Sequence, residues 1–408
     1  FGNGAAAIRS LSAIFSLAGI VVFFDLCRLL HGPRIALFAA AISALAIAQI
    51  DFAQEARGYP MLLFFGLCCA DQVVRIEFLG PSRRRLIALA IFLFATALTH
   101  YLSAGALIGL AIYAAVRLRG SARMRTMAAF AAGAILILMV WIPLFMEQKH
   151  TLPSLAPTFL REARVADHAR LTFYRIIGLP AEFLLGESRG EALTSKFVLA
   201  VFVFVVAVAV IRLVYHRVFL FWILWGIGTI GFVAAMDLAR QTTLVGYLRY
   251  TILASPAVYA IIAAFNWPPR RFIRDALAIS SIGLLTIVGI QRCIDGTAAK
   301  EDWQTLAHDL DASAGPDDLL VFYNDDPWIS PGTWYMAFNY YCPQSRHPWL
   351  VLNRPADANL LHQLRTKKSV WLIGKFPGAD GPLVLPGWHS VGLEETTSAG
   401  AFCLMEPN

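Results

Sequence analysis

The sequence predicts a polytopic α-helical membrane protein with a small α/β domain at its C-terminal end. Of its 408 residues, 58% are hydrophobic and only 15% are charged, which excludes a soluble globular protein and a disordered chain. Apolar runs near the roughly 20-residue length of a membrane-spanning helix recur between residues 5 and 291. After residue 291 the composition becomes polar, with Asp, Gly and Pro throughout. We therefore expect a membrane domain at 1–291 and a second domain at 292–408.

About ten apolar segments are predicted to cross the membrane. They lie at 6–30, 35–52, 58–76, 84–99, 101–118, 126–146, 194–214, 218–236, 247–266 and 273–291. Arginines are concentrated in every second connection, namely 28–34, 75–85, 117–125, 212–217 and 267–274. The positive-inside rule places those loops in the cytoplasm and the alternate connections on the outer side. We read the net charge of +7 as this topology signal, not as a nucleic-acid-binding surface.

The outward connection at 147–193 is too long to be a simple linker. Around Arg170 and Arg175 it interleaves basic and apolar side chains at helical spacing, which predicts an amphipathic helix in the membrane interface. Such a helix could bind an anionic lipid headgroup, or it could only cap the helical bundle.

The polar tail is long enough to form its own hydrophobic core. Its pattern predicts helices at 301–313, 334–341 and 357–366, and strands at 318–323, 350–352 and 370–374. This alternation indicates a small α/β domain on the outer side of the membrane.

The six cysteines show no metal-ligand spacing, and no metal site is predicted. Cys342 and Cys403 in the tail could form a disulfide, which would leave Cys293 without a partner.

The stretch 51–59 is the strongest candidate for a functional site. It places Asp51, Glu55, Arg57 and Tyr59 between two long apolar runs, where dehydrating a charged group is costly. Asp51 and Glu55 are four residues apart and would share a helix face. The alternative is an interfacial cluster in which Glu55 pairs with Arg57 and Tyr59 anchors the helix among the headgroups.

Other polar residues end or begin spans on the same predicted outer side. His100 could bind a metal ion together with a carboxylate such as Glu55, or lie in an aqueous vestibule. Arg249, which precedes Tyr250, and Arg9 could each hold a phosphate or extend to the surface. Together these groups fit a phosphate-bearing lipid whose tail lies among the helices and whose head lies among arginines.

With these residues in view, the chain resembles the multispanning glycosyltransferases of the GT-C type, in the bacterial branch related to protein mannosyltransferases and the lipid A aminoarabinose transferase. The resemblance rests chiefly on residues 52–59, Phe-Ala-Gln-Glu-Ala-Arg-Gly-Tyr. It is supported by Arg9-Ser-Leu-Ser in the first span, by Leu-Arg249-Tyr with Pro256, and by Glu-Asp-Trp303. The likeness covers most of residues 5–305.

The resemblance implies an inverting transfer of a sugar from a polyprenyl-phosphate donor on the outer face of the inner membrane, with membrane lipid around it and no nucleic-acid partner. It carries over Glu55 as an acidic residue of the site, with Arg57 and Tyr59 beside it. By its position Asp51 is predicted as a second catalytic acid, or it could only cap the helix that follows. The resemblance and the predicted outer positions together give a substrate-binding set comprising Arg57, Tyr59, Gln54, His100, Tyr101, Arg249, Tyr250 and Arg9. His100 matches a family position near a metal or the donor phosphate, so dependence on a divalent metal stays open.

The family's main catalytic acid lies in a first outer loop, after a first span. We expect that this chain begins after that point, so that Glu55 is the second acid of the site, and that a protein without the missing stretch is inactive. Two other functions fit the same residues: a transporter or flippase of lipid-linked saccharides, and a non-catalytic membrane scaffold. A transporter should show an internal repeat and polar groups in mid-span, neither of which is evident in this sequence.

Overall fold

The fold is described from a computed structural model of the chain. It describes residues 5–55, 57–151, 168–186, 195–240, 242, 244–265, 271–295, 303–315, 317–323, 331–352, 364, 369–374, 387–396 and 401–407. The chain divides into two compact units, Phe1–Ile290 and Gln291–Asn408.

The first unit is a bundle of α-helices. The helices are α1 (Ala5–His31), α2 (Pro33–Leu45), α3 (Ile47–Ala53), α4 (Tyr59–Leu79), α5 (Arg83–Thr99), α6 (Ala104–Arg117), α7 (Gly120–Thr151), α8 (His168–Leu185), α9 (Ser195–Tyr215), α10 (Phe219–Arg240), α11 (Leu248–Thr251), α12 (Ser255–Ala263) and α13 (Arg271–Asp295). Short 3₁₀ turns lie at Tyr101–Ser103, Leu244–Gly246 and Ile252–Ala254. The prediction of a predominantly helical chain is confirmed, since each of the ten apolar segments is helical.

Four helices among the described residues are long and apolar enough to cross a membrane. These spans are Arg9–His31, Gly120–Glu147, Lys196–Tyr215 and Phe219–Arg240. A fifth is added if α2 and α3, which meet at an angle of 59°, count as one broken span. The other helices are shorter or carry charged residues, as α4 does with Asp71, Arg75 and Glu77. Ten spans therefore remain a prediction.

Glycine and proline set the ends of the helices. Gly32 has a φ of 87°, and Pro33 starts α2 directly after it. Gly80, with a φ of 79°, ends α4, and the Ser82 side chain then accepts a hydrogen bond from the Arg85 N–H to start α5. Positive φ favours glycine, and a proline at the first helical turn loses no hydrogen bond.

Helices α6 and α10 approach each other closely through glycines. Gly105 and Gly109 lie four residues apart on α6, as in the small-residue pattern that lets membrane helices pack backbone to backbone. A Cβ atom placed on Gly228 of α10 would lie 2.5 Å from the Gly105 carbonyl oxygen and 3.2 Å from the Gly109 Cα. Because these are backbone atoms of a packed helix, they cannot move aside.

We expect Gly228→Ala to destabilise the bundle by about 1–3 kcal/mol, the usual cost of overpacking. Gly231→Ala is the matched control, because a Cβ at Gly231 of the same helix would meet only the Ile227 side chain at 4.0 Å. The control should be neutral or slightly stabilising, since alanine favours the helix. Thermal unfolding in detergent would compare the two; equal unfolding temperatures would contradict the close packing.

The predicted interfacial helix in the loop 147–193 is a helix, α8, but only its first half fits that description. Phe173, Tyr174 and Arg175 are exposed, whereas Leu179, Ala181 and Phe183 are completely buried in the core of the bundle. The amphipathic pattern predicted the exposed half correctly. It missed the buried half, because α8 packs not only against the next helix, α9, but also against α3 and α12, which are distant in sequence.

The second unit is an α/β domain. Helices α14 (Trp303–Ser313) and α15 (Pro331–Tyr341) accompany strands β1 (Leu320–Tyr323), β2 (Trp349–Leu352), β3 (Val370–Gly374), β4 (Trp388–Thr396) and β5 (Ala401–Pro407). The sheet order is β2-β1-β3-β5-β4, parallel among the first three strands and antiparallel in the last two pairs. The three predicted strands are present, and β4 and β5 were not predicted. The helix predicted at 357–366 lies almost wholly outside the described residues.

Cys342 and Cys403 are free thiols, so the suggested disulfide is wrong. Alternate residues along each strand point to opposite faces of the sheet, which separates the two side chains. Cys342 packs with α14 and Phe402 on one face, whereas Cys403 packs with Val321 and Leu372 on the other.

Candidate functional site

A cavity of about 250 Å³ opens at one end of the helical unit. Its lining comes from the turn before α4 and from the junction after α5, and comprises Arg57, Gly58, Tyr59, Leu62, Thr99 and His100. Two segments predicted to lie on the same side of the membrane, 51–59 and 99–101, therefore meet around one cavity. Arg57, Tyr59 and His100 were predicted as site residues, and the structure brings these three together.

The turn that carries Glu55 and Arg57 is held from α1. The Ser12 hydroxyl donates a hydrogen bond to the Arg57 carbonyl oxygen at 3.1 Å, across 45 residues of sequence. The Arg57 guanidinium lies 3.7 Å from the Glu55 carboxylate, and the Arg57 side chain is 54% exposed. An exposed ion pair at this distance contributes little to stability, so the Arg57 side chain can exchange this partner for an anionic ligand at low cost.

Aromatic rings surround His100. The ring centroids of Tyr101, Tyr250 and Tyr59 lie 5.0, 5.8 and 6.3 Å from the His100 centroid. The Tyr101 ring is stacked on the imidazole with an interplanar angle of 22°. Burial, reinforced by the positive charge of Arg249, lowers the pKa of His100 below its ordinary value. The imidazole is therefore neutral at neutral pH.

The Arg249 guanidinium lies over two aromatic rings. Its Cζ atom is 4.8 Å from the Tyr247 ring centroid and 5.0 Å from the Tyr250 ring centroid. Its Nε atom is buried without a hydrogen-bond partner, and within the described part of the chain the guanidinium forms no ion pair with a carboxylate. A cation on aromatic faces is stabilised by the ring quadrupoles, yet it keeps its N–H donors for another group.

At the opposite end of the same helices, arginines form ion pairs with carboxylates. Tyr59 and Glu77 are 18 residues apart on α4, so this second end lies roughly 27 Å away at 1.5 Å per residue. Several arginines at that end pair with acids: Arg28 with Asp25 at 2.5 Å, Arg75 with Asp71 at 2.6 Å, and Arg117 with Glu77 at 2.7 Å. Arg34 also pairs with Asp275. A paired arginine is already neutralised, whereas Arg249 is available to an anion.

A buried carboxylate holds the loop that leads to Arg249. Asp237, near the end of α10, is 1% exposed. It accepts hydrogen bonds from the Thr242 hydroxyl at 2.6 Å, the Leu244 N–H at 2.7 Å and the Val245 N–H at 2.8 Å. Sequence analysis did not single out Asp237. The available signal was an acid in the last turn of an apolar helix, where the helix dipole disfavours negative charge.

A buried polar network inside the helical unit was also not predicted. The Gln49 amide donates to the Ser255 hydroxyl at 2.9 Å and to the Tyr259 hydroxyl at 3.4 Å. The Tyr259 hydroxyl in turn donates to the Phe183 carbonyl oxygen at 2.8 Å. These bonds join α3, α12 and α8, and they satisfy polar groups whose burial would otherwise be costly.

Arg175 of α8 adds a further guanidinium near the Arg249 loop. A Cβ atom placed on Gly246 would lie 3.5 Å from the Arg175 Nε and 3.6 Å from its Cζ. The Arg175 guanidinium therefore lies within van der Waals distance of position 246. The sequence predicted a basic helix around Arg170 and Arg175, but it did not predict that Arg175 would lie against this loop.

The remaining predicted residues are more peripheral. Asp51 of α3 faces Gly186 at the end of α8, where a Cβ atom would come within 3.3 Å of an Asp51 carboxylate oxygen. Gln54 is exposed at the C-terminal cap of α3. Arg9 is exposed one turn before Ser12, at the end of α1 that holds the Arg57 turn, and the structure gives it no contact with a described cavity residue. No three His, Cys, Asp or Glu side chains of the described residues cluster so that they could hold a metal ion.

Comparisons with known proteins give distant structural matches. No protein-family model matches the chain, and no curated protein matches it. The crystal structure of ArnT from Cupriavidus metallidurans in the apo state is 14% identical, with a TM-score of 0.43, over 97% of this chain and 83% of that one. The crystal structure of the same protein bound to undecaprenyl phosphate is 12% identical, with a TM-score of 0.37, over 98% and 83%. Both TM-scores are low, so the function is inferred from the side chains around the cavity.

Proposed function

We propose that the chain is a membrane glycosyltransferase of the GT-C kind, which moves a sugar from a polyprenyl-phosphate donor to a hydroxyl group of a lipid, glycan or protein acceptor. The observation that carries this proposal is Arg249, a half-buried guanidinium over two tyrosine rings without an acid partner among the described residues. It lies near a cavity lined by Arg57 and His100, at the end of a bundle of apolar helices.

The two arginines suit the phosphate of a lipid donor. A guanidinium presents a planar fork of donors, remains charged at all physiological pH values and binds phosphate oxygens in pairs. When the bond between the sugar and the phosphate breaks, negative charge grows on the departing phosphate. Arg249 and Arg57 would stabilise that charge, and the apolar helices would accommodate the polyprenyl chain.

Glu55 is placed to accept the proton of the acceptor hydroxyl in the proposed reaction. In the proposed reaction the acceptor oxygen attacks the anomeric carbon, the bond from that carbon to the phosphate oxygen breaks, and polyprenyl phosphate leaves with the bonding electron pair. The proton of the acceptor hydroxyl passes to a carboxylate, for which Glu55 beside Arg57 is the candidate nearest the cavity. Asp51, which faces Gly186, is the second candidate acid.

The tyrosines around His100 could bind the sugar through their ring faces and hydroxyl groups. Tyr59, Tyr101 and Tyr250 offer ring faces and hydroxyl groups at the cavity, and amphipathic rings of this kind serve at the boundary between an apolar and a wet phase. We place this end of the bundle on the outer side of the inner membrane, because the arginine-rich connections lie at the other end.

Transfer from a radiolabelled polyprenyl-phosphate sugar, by the full-length protein in membranes, tests the proposal. Glu55→Gln and Arg57→Ala should each reduce transfer about tenfold or more, since a hydrogen bond to a charged group contributes about 1.5–3 kcal/mol. We expect Glu55→Gln to lower kcat and Arg57→Ala to raise the donor KM. Equal transfer by the wild type and both variants would refute the assignment, and would favour the scaffold alternative.

A further inference from the structure

The two ring nitrogens of His100 are chemically distinct. Nδ1 accepts a hydrogen bond from the Leu102 backbone N–H at 3.2 Å, which caps the 3₁₀ turn Tyr101–Ser103. Only a nitrogen without a proton can accept a hydrogen bond. In the neutral imidazole the single proton is therefore on Nε2, and the backbone of the same turn selects this tautomer.

The Nε2–H group is left for a ligand. His100 lines the cavity beside Arg57 and Tyr59. No described residue forms a hydrogen bond with His100 Nε2, whereas Nδ1 is occupied by Leu102. The stacked Tyr101 ring and the Tyr250 ring restrict the rotation of the imidazole, so the donor has a defined position at the cavity.

This hydrogen-bond polarity is opposite to that of a metal-binding histidine. A histidine that binds a metal usually donates its other ring N–H to a carboxylate or carbonyl group, which leaves the ligating nitrogen without a proton. In His100 the other nitrogen accepts instead, and the proton stays on the nitrogen that a metal would need. The arrangement thus favours hydrogen-bond donation over the metal-ligand alternative considered from the sequence.

We propose that neutral His100 donates a hydrogen bond from Nε2 to a phosphate oxygen of the polyprenyl-phosphate substrate, with the Leu102 N–H setting the tautomer. This role rests on the proposed function. His100 complements the two arginines, because it adds a directional donor without a further positive charge. Its low pKa, caused by burial and Arg249, keeps the donor neutral when the phosphate is absent.

Two amide substitutions separate the roles of the two nitrogens. The Asn side-chain oxygen can replace Nδ1 as the acceptor for Leu102, but Asn is too short to replace Nε2. The Gln side-chain NH₂ can replace Nε2, but the hydrogen bond from the Leu102 N–H that caps the 3₁₀ turn is then lost. Binding of a short-chain polyprenyl phosphate should therefore be about 10–100-fold weaker in His100→Asn, and within about threefold of the wild type in His100→Gln. Thermal unfolding should show the reverse order, with His100→Gln less stable than His100→Asn.

The outcomes are distinct from those that test the proposed function. If the wild type binds no polyprenyl phosphate, the proposed function fails. If the wild type binds but the Asn and Gln variants lose equal affinity, the ring acts by stacking and the donor role is overturned. His100→Phe retains a planar ring without either nitrogen. If His100→Asn does not fold, this variant distinguishes stacking by the ring from hydrogen-bond donation. Wild-type affinity in His100→Phe would overturn the proposal.

Discussion

Replacing Arg249 with alanine should lower sugar transfer about 10²–10³-fold, the effect seen when one preorganised donor to a developing negative charge is removed. The structure gives Arg249 no carboxylate partner among the described residues, so its charge is available to the substrate phosphate. Arg249→Lys should recover only part of the activity, because an ammonium group is a point charge that offers no planar fork. Steady-state transfer with a radiolabelled polyprenyl-phosphate sugar measures both variants.

Arg123→Ala provides the matched control for charge. Arg123 is exposed near the start of α7, away from the cavity residues in sequence and in the predicted topology. Its removal should leave transfer unchanged, although it lowers the net charge by the same amount. If Arg249→Ala were as active as Arg123→Ala, the proposed phosphate site would be wrong.

The second large effect is expected at Asp237, on stability and on substrate binding together. Asp237→Ala removes the acceptor for the buried Val245 N–H, the partly buried Leu244 N–H and the Thr242 hydroxyl, and each buried donor left unsatisfied costs about 1–3 kcal/mol. We expect a total loss of about 3 kcal/mol or more in the free energy of unfolding. The donor KM should rise as well, because the loop 242–246 leads directly to Arg249. Thermal unfolding in detergent and transfer kinetics measure the two effects.

Graded substitutions test this explanation. Asp237→Asn keeps one side-chain oxygen and should have an intermediate effect, whereas Thr242→Ser keeps the hydroxyl donor and should be nearly neutral. Gly228→Ala destabilises α10 at a different contact, so it separates general loss of stability from loss of the loop. A donor KM that rises as much in Gly228→Ala as in Asp237→Ala would contradict a specific role of the carboxylate.

Much of the helical architecture could be predicted because it depends on local properties of the chain. The apolar runs are helical, and Gly32 and Gly80 lie between helices, where a positive φ ends the preceding helix. Strand β4 was missed because it is an edge strand with several polar residues and an internal glycine, which weaken the strand signal in the sequence. The buried half of α8 was missed because α3 and α12, which also pack against α8, lie far away in sequence.

The candidate site was predictable in its residue types but not in its pairings. Alternating topology placed Tyr59, His100 and Tyr250 at the same end of the bundle, and their rings are close together in the structure. The periodicity that put Asp51 on the face of Glu55 applies only within a helix, and α3 ends at Ala53. The Asp51 side chain faces Gly186 as a result, and the contribution of Arg175 depends on a contact with Gly246, which lies 71 residues later in the chain.

By itself, the sequence determined that this protein is a bundle of apolar helices with its charged groups at the helix ends. Backbone groups in an apolar environment must form their hydrogen bonds within a helix, and charged side chains are too costly to dehydrate in mid-span. Only the tertiary structure decided which arginines are neutralised by acids and which remain available, and which nitrogen of His100 carries the proton. Those properties depend on distances between segments that lie far apart in the chain, to which local composition and periodicity are insensitive.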